Sequence, residues 1–80
     1  MRVIVKLFAT LKNFAPVEGL AGTPFDMDLS ESSSLQDVVI RLNLPEDLVK
    51  ITFVNGIAQE LDFIIKAGDE IGIFPPVGGG

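Results

Sequence analysis

The chain contains no cysteine, histidine, tryptophan or tyrosine. Each absence removes a class of function. Without cysteine no disulfide can staple a domain of 80 residues, and the lack fits a reducing, intracellular setting. Without cysteine and histidine the two commonest ligands for zinc and related metals are missing. So are the usual general base and the thiolate nucleophile. Serine, threonine, lysine and carboxylates remain, a poor set from which to build a self-sufficient catalytic site. Basic charge is scarce as well: six Lys and Arg stand against eleven Asp and Glu, a net charge of -5. Arg2, Lys6, Lys12, Arg41, Lys50 and Lys66 are scattered singly, whereas nucleic-acid binding needs clustered cations. An acidic domain suits a basic partner surface. No apolar run is long enough to span a bilayer, and no charged segment followed by an apolar one opens the chain. A cytoplasmic protein with neither nucleic-acid nor membrane partner is the expectation.

What is present is apolar residues, at 48%, arranged with clear periodicity. Arg2 to Phe8 reads as a strand. Val3, Val5 and Leu7 point one way, and Ile4, Lys6 and Phe8 the other. With apolar residues on both faces, such a strand belongs at the centre of a sheet. Ala9 to Thr23, with Pro16, Gly19 and Gly22, reads as a loop with one helical turn at Thr10 to Phe14. Pro24 to Leu29 alternates, with Phe25, Met27 and Leu29 inward and Asp26 and Asp28 outward, as in a half-buried strand antiparallel to the first.

The helix is well marked. Ser33 and Gln36 have the form of a capping box, and Asp37 adds negative charge in the first turn. Leu35, Val38, Val39 and Leu42 then recur on one helical face, and Pro45 ends the helix by biasing Leu44 out of the helical region. Lys50 to Val54 is a third strand, closed by the tight-turn signal Asn55-Gly56, with a short strand at Ile57 to Gln59. Leu61 to Ile65 returns across the domain, Lys66 to Asp69 turns, and Glu70 to Phe74 forms the last strand with Ile71 and Ile73 inward. The order β-β-α-β-β-β predicts the α+β class: a mixed sheet of four to five strands over one main helix.

The chain finishes F-P-P-V-G-G-G. Pro75 and Pro76 cannot donate to a ladder, so they stop the last strand and hold the chain extended. The three glycines reach roughly 10 Å. An arm without side chains can enter a channel where any Cβ would clash. Residues 1–74 thus read as one domain and 75–80 as a flexible tail.

At this point the whole chain resembles the MoaD/ThiS family of ubiquitin-like sulfur carriers. V-K-L-F-A-T-L resembles the family's first strand and loop. The helix followed by L-P-E-D-L and then F-V-N-G resembles its middle, and A-G-D-E-I-G-I-F-P-P-V-G-G-G its ending. The resemblance implies a ubiquitin-like β-grasp fold, and a protein co-substrate that is not catalytic alone. In that family a ubiquitin-activating-type adenylyltransferase (MoeB-like or ThiF-like) uses ATP to adenylate the terminal carboxylate. A persulfide sulfur then displaces AMP, leaving a thiocarboxylate that a larger enzyme consumes. No cofactor is bound by the carrier itself. By resemblance Gly80 carries the sulfur and Gly79 gives the slim approach. Gly78, Val77, Pro76, Pro75 and Phe74 dock the arm. F-P-P-V and F-A-T-L lean towards the branch that serves molybdopterin, where the partner is a MoaE-like large subunit. V-G-G-G is also common at ThiS-like ends, where it is a thiazole synthase.

A β-grasp sheet makes the first and last strands parallel neighbours, which would bring Ile4 and Phe8 beside Phe74 with Gly72 between them. That apolar face is a candidate partner site unless the Ala9 to Thr23 loop covers it. Asp26 and Asp28, on one strand face, could meet a cation or a basic partner, or be solvated, as could Glu46-Asp47 and Asp69-Glu70. Lys66 could ion-pair across its turn, at little gain. Two further readings differ in class: a non-covalent ubiquitin-like interaction module with an idle tail, and a modifier conjugated to lysines through Gly80.

Overall fold

Side chains alternate across a strand, so the apolar rows of the sequence decide which face of a sheet is buried. A computed structural model describes residues 1–14 and 23–76 and bears this out. The strands are β1 (Arg2–Leu7), β2 (Phe25–Asp28), β3 (Ile51–Val54), β4 (Ile57–Ala58) and β5 (Glu70–Phe74), with one α-helix, α1 (Leu35–Arg41). They form a five-stranded sheet in the order β2-β1-β5-β3-β4. β1 and β5 run parallel at its centre, with Val5 opposite Ile71 and Leu7 opposite Ile73. The other pairings are antiparallel. This is the ubiquitin-like β-grasp arrangement expected, α+β with one main helix over a mixed sheet.

The core lies between α1 and one face of the sheet. Val3, Val5 and Leu7 of β1, Ile71 and Ile73 of β5 and Val54 of β3 are buried there with Leu35, Val38 and Val39 of the helix. The second row of β1 behaves differently. Ile4, Lys6 and Phe8 are only half-buried, so the central strand has one dry face and one partly open face. The helical turn after β1 is a 3₁₀ segment, Ala9–Phe14, and it seats Leu11 in the core. The remainder of that loop, with Pro16, Gly19 and Gly22, lies outside the described residues.

Two local readings are corrected. The capping box is formed by Ser34 and Asp37, not by Ser33 and Gln36. The Ser34 amide donates to the Asp37 carboxylate at 2.8 Å, and the Asp37 amide donates to Ser34 Oγ at 3.3 Å. Ser33 is instead buried, its hydroxyl donating to the Ser30 carbonyl at 2.7 Å. Next, α1 ends before Pro45 acts. Asn43 takes a left-handed conformation, φ 57°, and the Leu44 amide returns to the Val39 carbonyl at 3.0 Å, closing the helix as glycine commonly does. The return at Leu61 to Ile65 runs past the start of α1. Its carbonyls cap the helix: the Leu35 amide donates to Phe63 O (3.1 Å) and the Gln36 amide to Leu61 O (2.9 Å). These bonds and the Ser34–Asp37 pair engage the amides that a helix start otherwise leaves unpaired.

Candidate functional site

The open sheet face is built from the rows that the core does not use. In register, Lys6 of β1 lies opposite Gly72 of β5, and Gly72 lies opposite Phe53 of β3. Ile51 lies opposite Phe74. Side chains at these positions therefore share one face, together with Ile4 and Phe8. They enclose a shallow concavity of about 410 Å³ lined by Ile4, Lys6, Phe8, Phe53, Gly72 and Phe74, with Glu70 at its margin.

Three aromatic rings organise it. Phe8 and Phe74 stack with centroids 3.9 Å apart and planes 9° from parallel. Phe53 meets Phe74 edge-on at 5.5 Å and 78°. Both geometries suit the quadrupole of an aromatic ring. The stack depends on Gly72, because a Cβ there would stand 3.3 Å from Phe8 Cε2. The Lys6 ammonium sits 4.9 Å from the centre of the Phe8 ring, a cation–π contact.

The chain leaves the sheet at this cluster. The Phe8 amide donates to Ile73 O at 3.1 Å, and the Lys50 amide donates to Phe74 O at 2.9 Å. Phe74 is the last residue of β5, with half-buried Pro75 and exposed Pro76 after it. Of the residues singled out from the sequence, Ile4, Phe8 and Phe74 are brought together as expected. Pro75 and Pro76 continue directly from them. Val77, Gly78, Gly79 and Gly80 lie outside the described residues. The sequence reading missed Phe53 and Ile51, although the alternation of I-T-F-V, with Thr52 and Val54 buried, carries the signal for both.

The carboxylates resolve differently. Asp28 accepts from Arg2 Nε at 3.2 Å, and Asp26 lies 4.0 Å from Arg2 Nη1. The pair meets a basic group of the same sheet. The hydrogen bond from Arg2, and then its charge, hold the Asp28 carboxyl below the usual carboxylate range and push the guanidinium upward. Glu46 and Asp47 are exposed. Asp69 is structural: its carboxylate accepts from the Lys66 amide at 2.8 Å and from Asn55 Nδ2 at 3.0 Å. The expected ion pair of Lys66 is not formed among the described residues; its backbone amide makes the contact. No group of three His, Cys, Asp or Glu side chains among the described residues is placed to hold a metal ion. No helix there is long and apolar enough to cross a membrane.

The comparisons with known proteins agree with this arrangement. The chain is similar to a putative molybdopterin converting factor, subunit 1, from Pyrococcus furiosus: 25% identity over 96% of this chain and 99% of that one, TM-score 0.74. It is also similar to the small archaeal modifier protein 1 of Haloferax volcanii (25% identity, 95% and 98% covered, TM-score 0.69). A third similar structure is a Helicobacter pylori protein–protein complex of subunits 1 and 2 of molybdopterin-converting factor, where the match is 26% identical over 100% of both chains, TM-score 0.60. No curated protein sequence matches. A sequence profile described as the ThiS family matches residues 5–80, which include both the aromatic face and the terminal glycines, and the chain belongs to that family.

Proposed function

We propose that the protein is a sulfur carrier whose working group is the Gly80 carboxylate, adenylated by a MoeB-like or ThiF-like adenylyltransferase at the expense of ATP. Attack of a persulfide sulfur on the acyl-adenylate releases AMP and leaves the thiocarboxylate. A carboxylate is a poor acyl donor, so this activation must precede the sulfur step. The carrier itself acts as co-substrate, not catalyst. Residues 75–80 serve as its arm, and its place of action is the cytoplasm.

The observation that carries this reading is the junction at Phe74. The last strand ends inside the aromatic cluster, and two prolines launch the glycine terminus from it. A partner that docks on Ile4, Phe8, Phe53 and Phe74 thereby holds the root of the arm. Molybdopterin biosynthesis is the favoured destination of the sulfur, with a MoaE-like large subunit as the docking partner. The similarity to two subunit 1 proteins of molybdopterin converting factor supports that branch over a thiazole synthase. Deleting Gly80 tests the assignment: sulfur transfer should be lost while the fold is unchanged. Retained transfer would overturn it.

Similarity to a small archaeal modifier protein favours one second reading, in which the same activated Gly80 forms isopeptide bonds with lysines.

A further inference from the structure

The turn that closes β3 and β4 is Asn55-Gly56, with φ 52° and 82°, the type I′ geometry that suits the twist of a hairpin. Its side chain is engaged beyond the turn. The Glu70 amide donates to Asn55 Oδ1 at 2.9 Å, and Asn55 Nδ2 donates to Asp69 Oδ1 at 3.0 Å. The Asn55 backbone amide donates to Glu70 O at 2.8 Å. One asparagine therefore latches the hairpin to the start of β5. Asp69 is itself held by the Lys66 amide, and its carbonyl accepts from the Ile4 amide.

We propose that Asn55 is a modification site, a deamidation site whose reaction this latch gates. The chemistry needs only water. The Gly56 nitrogen, having lost its proton, attacks Asn55 Cγ; the new C–N bond closes a five-membered succinimide and ammonia leaves. Water then opens the ring at either carbonyl, giving aspartate or isoaspartate. Glycine is the follower that hinders this attack least, and around Gly56 a Cβ would meet nothing within 4 Å. Its amide donates to no other group among the described residues. The nucleophile is thus free, while the electrophilic amide is pinned by two hydrogen bonds. Opening of the turn at residues 66–70 releases it.

The reaction runs one way in structural terms. Aspartate at position 55 has no hydrogen to give Asp69 and instead sets a second carboxylate against it, where like charges repel. Isoaspartate also lengthens the backbone of the turn. The added charge falls beside Glu70, at the margin of the concavity that Phe53 and Phe74 line. Aged and fresh molecules thus present different docking faces.

The test uses the isolated protein and does not depend on its sulfur chemistry. Native wild type, wild type unfolded in urea, and native Asp69→Ala and Asp69→Asn are held at mildly alkaline pH and mapped by peptide mass spectrometry with isoaspartate detection. The native wild type should convert at roughly a tenth of the unfolded rate or less, as two lost hydrogen bonds imply. Asp69→Ala, checked for its fold by amide exchange, loses one of the two bonds and should convert severalfold faster than native wild type. Asp69→Asn, which keeps one acceptor oxygen where the carboxylate uses two, should fall between wild type and Asp69→Ala, and the comparison of native with unfolded wild type decides the proposal if the alanine variant does not fold. Equal rates in native and unfolded wild type would overturn it, as would a folded Asp69→Ala as slow as wild type.

Discussion

Phe8 and Phe74 lie flat on one another, 3.9 Å between ring centres, across a strand pair where Gly72 supplies no side chain. The stack joins the first strand to the last residue before the proline-glycine terminus. It is the point at which fold and proposed function meet.

Gly72→Ala should separate these rings. The new Cβ would press on Phe8 Cε2, and a half-buried ring can yield. The strain is offset by the gain of alanine over glycine in a strand, about 0.5–1 kcal/mol. Net stability in urea should therefore change by no more than about 1 kcal/mol. The near-ultraviolet dichroism, which in a chain without Trp or Tyr comes from phenylalanine, should weaken clearly.

Phe74→Ala should leave the fold intact and damage docking. The ring is half-buried and packs against Phe8 and Phe53, so the stability loss should be about 1–2 kcal/mol. Affinity for the proposed MoaE-like partner, measured by calorimetry, should fall roughly ten- to hundredfold, as for an aromatic anchor at an interface centre.

Ser34→Ala and Ser33→Ala should be distinguishable from Gln36→Ala. Removing the Ser34 hydroxyl abolishes half of the capping box and should cost about 1 kcal/mol in urea unfolding. Gln36→Ala should cost only a few tenths, because no cap depends on its side chain. Ser33→Ala removes a buried hydroxyl that already has a partner, and should fall nearer Ser34→Ala.

The Arg2–Asp28 pair predicts an acid dependence. The folded state holds the Asp28 carboxyl below its ordinary value. Its contribution is therefore present above the unfolded carboxylate range, near pH 4, and is lost as pH falls through the depressed folded value. Arg2→Ala should raise the Asp28 titration midpoint seen by carboxyl NMR. High salt should shrink the difference, since both groups are exposed.

Much of this was legible in the sequence because two periodicities carry it. The alternation in β1 and β2 and the helical spacing of Leu35, Val38, Val39 and Leu42 placed the core. Asn55-Gly56 placed the hairpin. Errors arose where several residues of one kind compete locally. Among three consecutive serines the pattern points to Ser33, but Ser34 forms the box with Asp37 while the Ser33 hydroxyl turns back to the Ser30 carbonyl. Asn43 was overlooked beside the louder Pro45. The return at Leu61 to Ile65 is legible, but its carbonyls are taken by the helix start, a pairing that local pattern does not reveal. Phe53 lies on the row of β3 opposite the core, where Thr52 and Val54 carry the burial, so the core pattern alone does not point to it. The glycine arm stands on composition and on family membership.

The central claim is tested most directly at the last residue. The protein is incubated with the proposed MoeB-like or ThiF-like adenylyltransferase, ATP and a persulfide donor, and the C-terminal peptide is sequenced by tandem mass spectrometry. The account predicts replacement of one oxygen by sulfur, confined to Gly80. An unchanged Gly80 in the presence of a demonstrably active enzyme, or Gly80 found only in isopeptide linkage to lysines, would contradict it.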